Sequence, residues 1–176
     1  MDEVGLSGLE EAKRAWATHF AGLSQEEIDQ RVLGFSALVE GIARSGAISP
    51  EEFASKLGIE PSRAKDIFAE FASMGVQIDE QGNAVAAALT ARQTAHRIQV
   101  GGRELYAWCA LDTLFIPGLL GEEAEVSSTC PGSGESVRIT VTPDGVRASS
   151  PADTVVSVVL PNRGYASAQI GPASPT

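Results

Sequence analysis

The sequence predicts an α+β fold, with helices crowding the first half, short strands filling the second and one apolar helix set among the strands. Three observations carry this expectation. Ser- and Pro-marked helix starts recur up to residue 75, and apolar/polar alternation begins at His96. The longest apolar run, Ala107 to Gly121, contains Asp112 and Pro117 and falls short of the roughly 20 residues that span a bilayer. With 176 residues, 43% of them hydrophobic, the chain has enough apolar material for one ordinary domain or two small ones.

Residues 1 to 45 read as helical. Ser24-Gln-Glu-Glu27 has the form of a capping box, and Val32, Phe35, Leu38, Val39 and Ile42 follow at helical spacing, ending at a Gly46 suited to the left-handed C-cap. Ser49 and Pro50 open a short second helix that stops at Gly58. A third begins at Pro61, with Ile67, Phe68, Phe71 and Met74 as its apolar face. Val76 to Val85 then reads as two short strands around an acidic Gly-Asn turn.

Helix, short helix, helix and hairpin resemble a winged helix, an element often used to read DNA. Here residues 46 to 95 carry seven acidic side chains against four basic ones, and Asp79 and Glu80 sit at the hairpin tip. DNA readers need phosphate contacts on such elements, so the module is expected to pack or cover a site instead. The whole chain points the same way: its net charge of −10 and pI near 4.6 work against nucleic acid as a partner.

From His96 the texture is β. Arg97 to Val100 and Arg103 to Tyr106 flank a Gly101-Gly102 turn and lead into the apolar run, which reads as a core helix. Strand candidates follow at Ala124–Thr129, Ser136–Thr142 and Thr154–Leu160, separated by turns at Pro131–Gly134 and Pro143–Gly145. The expected organisation is a helical, winged-helix-like module over 1–95, a small mixed or antiparallel sheet packed on a buried helix over 96–161, and a loose tail over 162–176 in which Tyr165 to Ile170 could add an edge strand. An exposed sheet edge would favour a homodimer.

The acidic N-terminus lacks the basic and apolar regions of a secretory signal, and no stretch spans a membrane, so a cytoplasmic location and no membrane partner are expected. Cys109 and Cys130 then exist as free thiols. Zinc is poorly supported, because there is no Cys-x-x-Cys and His19 and His96 lie far from one another and from the cysteines in sequence. No cofactor is expected.

Cys109 and Asp112 stand three residues apart in the apolar run. On a helix this spacing puts both side chains on one face, roughly 5–6 Å apart at Cβ, a soft-metal nucleophile beside a proton donor. Burial favours the neutral form of each. Spacing alone leaves two readings open: a functional pair, or a core cysteine beside an Asp that caps locally.

The run Leu105-Tyr-Ala-Trp-Cys-Ala-Leu-Asp-Thr-Leu-Phe-Ile-Pro-Gly-Leu-Leu-Gly121 resembles the organomercurial (alkylmercury) lyase family. The likeness extends over about residues 30 to 161, through Ala124 to Cys130, Val137 to Gly145 and Val155 to Pro161. The resemblance implies cleavage of carbon–mercury bonds, with Cys109 binding the mercury, Asp112 managing the proton given to the departing carbanion, and an apolar pocket holding the organic group. It implies a small organomercurial or other apolar substrate, with Hg(II) as substrate or product metal. Family members carry a second active-site cysteine on a strand after the Val-Leu-Pro segment, whereas Asn162 to Ile170 offers no thiol. Cys130 matches a different family cysteine, read as a buried structural sheet residue; it is the other candidate mercury ligand. Impaired or altered lyase activity is therefore expected, with a small exogenous thiol able to fill the vacant position. The alternatives are a non-catalytic soft-metal binding protein and a repurposed enzyme acting on a mercury-free substrate at the same pocket.

Overall fold

The computed structural model describes residues 22–156. Helix α1 (Gln25–Ser45) starts at a complete capping box: the Ser24 hydroxyl accepts from the Glu27 N–H, and the Glu27 carboxylate accepts from the Ser24 N–H at 2.7 Å. Gly46, at φ 86°, ends it and donates to the Ile42 carbonyl. Helix α2 (Pro50–Leu57) repeats the device with Ser49 and Glu52, and closes on Gly58. Helix α3 (Pro61–Ser73) starts on its proline. Strands β1 (Gln77–Ile78) and β2 (Ala84–Ala86) form an antiparallel hairpin, to which Ile48 adds a bridge through two 2.9 Å hydrogen bonds with Ala84. Ile48 lies so close to α1 that a Cβ on Gly41 would come within 2.5 Å of the isoleucine Cβ, so only glycine fits there.

Two expected apolar contacts differ. Val32 is 53% exposed although it lies about two turns before the buried Val39 and on the same side of α1, because the buried part of the helix begins only at Gly34. Met74 follows the end of α3 and is also exposed, leaving Phe68 and Phe71 as the buried side chains of that face.

The remaining strands, β3 (Leu89–Thr90), β4 (His96–Val100), β5 (Arg103–Ala107), β6 (Ala124–Thr129), β7 (Ser136–Thr142) and β8 (Gly145–Ser150), form one antiparallel sheet in the order β3-β5-β4-β6-β7-β8. Its register lines up Leu105, Ile98, Val126 and Ile139 across four strands, and beside them Val100, Ala124 and Val141. These side chains are buried, while Arg97, Gln99 and Glu125 alternate onto the exposed face. Helix α4 (Asp112–Leu120) contacts α1, β4, β7 and β8, with Ile116 fully buried. A single apolar cluster runs from Leu38, Ile42 and Phe53 in the helices to Ile98, Leu105 and Val141 in the sheet. The α+β architecture is thus as expected, and its sheet is wholly antiparallel.

The strands expected at 124–129 and 136–142 form with those bounds. Of the third, the described residues 154–156 lie outside any strand, and the strand that pairs with β7 is β8, directly after the Pro143–Gly145 turn. Every residue of β8 is exposed or partly so, which leaves no apolar alternation to reveal it; its backbone pairing with β7 places it. The readings over residues 1–21, the rest of the 154–160 segment, the 165–170 edge strand and the 162–176 tail fall outside the described residues. No described helix is long and apolar enough to cross a membrane.

A cross-link joins helices to sheet. The Arg103 guanidinium, at the start of β5, donates to the Arg44 carbonyl in the last turn of α1, meeting an otherwise orphaned acceptor with a positive charge at the favourable end of the helix dipole. Arg103→Ala is expected to lower unfolding free energy by about 1 kcal/mol with an unchanged denaturant slope, as read from urea unfolding.

Candidate active site

Strand β5 ends at Ala107, and the next N–H, that of Trp108, donates to the Ala88 carbonyl at 2.9 Å. The Cys109 N–H then donates to Asp112 Oδ2 at 2.9 Å, and the buried Thr113 hydroxyl donates to the Ala110 carbonyl at 2.7 Å. Asp112 is the first residue of α4.

Cys109 therefore lies in the turn between β5 and α4, and it is exposed. This corrects two expectations: the helix does not run through Cys109, and the thiol is not sunk in the apolar run. Sheet pairing keeps the chain extended to Ala107, and the hydrogen bond to Ala88 carries it one residue further. Asp112 and Cys109 are brought together by a carboxylate reaching back three residues to a backbone N–H, the geometry of half a capping box, rather than by a shared helical face.

Burial is the main cause raising the Asp112 carboxyl above the usual carboxylate range, against the lowering effect of its hydrogen bonds with Cys109. The Cys109 thiol is likewise pushed up, first by partial burial and then by the neighbouring Asp112 charge. Both shifts run toward the protonated form, in an exposed thiol and a partly buried carboxyl three residues on.

Cys130 follows β6 and caps a Pro131-Gly132-Ser133-Gly134 turn, partly exposed rather than buried in the sheet. Its thiol is drawn down from the ordinary range by the Ser133 hydroxyl and by the Ser133 and Gly132 N–H groups. In the register, His96 of β4 faces both Ala107 of β5 and Ser128 of β6, so the two cysteines leave the same end of the sheet with β4 between them. His96 is half-buried and its Nδ1 lies 2.9 Å from the Ser128 hydroxyl; burial lowers its pKa, favouring the neutral ring. Among the described residues, no group of three or more His, Cys, Asp and Glu side chains is placed to hold a metal ion. Two open clefts, of about 500 and 480 Å³, lie in the helical half, beside Phe68 and Ile78 and beside Gly41 and Lys56, away from Cys109.

Residues 89–171 match the family model described as alkylmercury lyase. Residues 89–171 thus carry that family's domain. The chain is 41% identical over 128 residues to an alkylmercury lyase of Staphylococcus epidermidis, covering 73% of this chain and 58% of that protein. It is 38% identical over 128 residues to one from Pseudomonas putida, covering 73% and 59% respectively. The chain thus spans less than two thirds of the length of these relatives. A solved structure titled as the mercury-bound form of MerB2 shares the fold, with a TM-score of 0.58 and 24% identity over 81% of this chain and 68% of that one.

Neither Ala88, which acts through its backbone carbonyl, nor Thr113, whose hydroxyl donates to the Ala110 carbonyl, was marked by a sequence signal, though both fix the turn around Cys109. The raised Asp112 pKa has a consequence for stability. Between the ordinary carboxylate midpoint near ~3.9 and its own raised midpoint, the folded state holds a proton that the unfolded state has lost, so stability falls as pH rises through that window. Asp112→Asn keeps an oxygen for the Cys109 N–H but cannot ionise. Its melting temperature relative to wild type is expected to rise from acid to neutral pH, measured by thermal unfolding across the pH range.

Proposed function

We propose that the Cys109–Asp112 pair cleaves the carbon–mercury bond of small organomercurials by protonolysis. The observation that carries this reading is an accessible thiol whose backbone N–H is held 2.9 Å from a carboxyl whose pKa burial raises. The family match over residues 89–171 supports the substrate class. Sulfur is a soft ligand matched to mercury, so the Cys109 sulfur displaces the anionic ligand that accompanies the organic group on mercury, and that ligand leaves with the thiol proton as the sulfur–mercury bond forms. Asp112 then gives its proton to the carbon: the electron pair of the breaking carbon–mercury bond forms the new carbon–hydrogen bond, and the hydrocarbon departs. The carboxylate left behind recovers a proton from solvent, and Hg(II) stays on sulfur as product. The half-buried Trp108 beside Cys109 offers apolar surface for the organic group.

Turnover in this chain is expected to be slow. A single protein thiolate adds less electron density to the mercury than two would, and it holds the Hg(II) product without chelation. Cys130, at the same end of the sheet, is the other soft ligand the chain offers. Incubation with an organomercurial, following the released hydrocarbon with and without excess small-molecule thiol, tests the proposal. Slow release that added thiol accelerates is the expected result, and Asp112→Asn should reduce it by about 10²–10⁴-fold, the usual contribution of a positioned acid. Tight one-to-one binding with no hydrocarbon under either condition would replace the lyase reading with sequestration of the metal.

A further inference from the structure

Ala88 is the one non-glycine among the described residues with a positive φ, 57°, and it is 3% exposed. The Leu89 N–H donates to the Ala87 carbonyl at 2.6 Å and the Ala87 N–H to the Leu89 carbonyl at 3.0 Å, closing a tight three-residue turn around it. An alanine bears steric strain in this conformation that a glycine would not, because its Cβ crowds the following carbonyl. Such strain persists only where the surroundings over-determine it, and it concentrates at functional sites.

What the turn achieves is visible in the hydrogen bonds. Strand β3 pairs Leu89 with Ala107 and Thr90 with Tyr106, and the same register sets Ala88 opposite Trp108. The Ala88 carbonyl, in the tight turn, accepts from the Trp108 N–H, one bond beyond the end of β5. With that donor committed, the next N–H along the chain, that of Cys109, is the one Asp112 accepts. Two consecutive bonds thus fix the backbone on both sides of the Trp108–Cys109 peptide.

We propose that Ala88 is a positioning residue for Cys109: its left-handed backbone sets the carbonyl that anchors Trp108 and thereby holds the thiol over Asp112. The inference rests on the reading of Cys109 as the capture thiol, and Ala88 acts only through Trp108.

Amide hydrogen exchange of the wild-type protein is the first test. The Trp108 amide is expected to be protected to the level of the β5 amides, and exchange at the rate of an open loop would overturn the proposal. The second test compares Ala88→Gly, which accepts the left-handed conformation, with Ala88→Val, whose β-branch does not. Iodoacetamide alkylation is followed at Cys109 by peptide mass mapping, which separates it from Cys130. The glycine variant should keep Trp108 protection and alkylate within about twofold of wild type. In the valine variant protection should fall, the thiol, released from burial and from the Asp112 charge, should alkylate several-fold faster at neutral pH, and kcat on an organomercurial should drop by about tenfold or more with KM nearly unchanged, as misplaced reacting groups dictate. A folded valine variant that loses Trp108 protection yet matches wild type in alkylation and kcat would overturn the proposal, as would one that keeps the protection. Should valine prevent folding, wild-type exchange and the glycine variant still decide the matter. If the wild type releases no hydrocarbon, the lyase reading fails while exchange and alkylation still report on Ala88.

Discussion

One hydrogen bond, from the Cys109 N–H to Asp112 Oδ2, is the constraint around which the site is organised. It holds a carboxyl group at the first turn of α4, where burial makes its charge expensive and the positive end of the helix dipole favours it. Burial prevails, and the acid keeps its proton above the ordinary range. The same bond fixes where the thiol-bearing residue sits. A carboxyl group and a thiol-bearing residue are therefore coupled through the backbone, a link more rigid than contact between two free side chains.

That bond depends in turn on rigid neighbours. Cys109 is suspended between the end of β5, inside a six-stranded sheet, and the start of α4, whose Ile116 is locked into the core shared by helices and sheet. The helices reach the sheet through this core and through the Arg103 contact to α1. A sheet strand that runs straight into a helix leaves only Trp108 to Leu111 free of regular structure, and Ala88, Asp112 and Thr113 each take up a backbone group there. Little freedom remains in the turn, as pre-organised chemistry requires.

Chemistry that acts over a few residues was legible in the sequence. The capping box at Ser24, the N-cap at Ser49, the helix-ending glycines at 46 and 58, and strands β6 and β7 stand where their residue types put them. The residue pair at 109 and 112 was visible from type and spacing, but its geometry was not. The apolar run favoured a helix through Trp108 to Leu111, and tertiary pairing with Ala88 overrode that local preference. Ala86-Ala-Ala88 carries no Gly or Asn to announce a left-handed turn, so the strained residue was silent. Strand β8 was silent for the opposite reason: an exposed edge strand needs no apolar pattern, only a partner backbone. Cys130 was read as a sheet residue although the Pro131-Gly132-Ser133-Gly134 turn signal follows it immediately, and the chain reverses there.

The central claim is that Cys109 is the thiol that takes the metal. Mass mapping after treatment with an organomercurial tests it most directly, comparing wild type with Cys109→Ser and Cys130→Ser. The account predicts about one mercury per chain on the Cys109 peptide, matching its single thiol in the turn, with uptake retained in Cys130→Ser and lost in Cys109→Ser. Uptake that survives in Cys109→Ser and disappears in Cys130→Ser would contradict it.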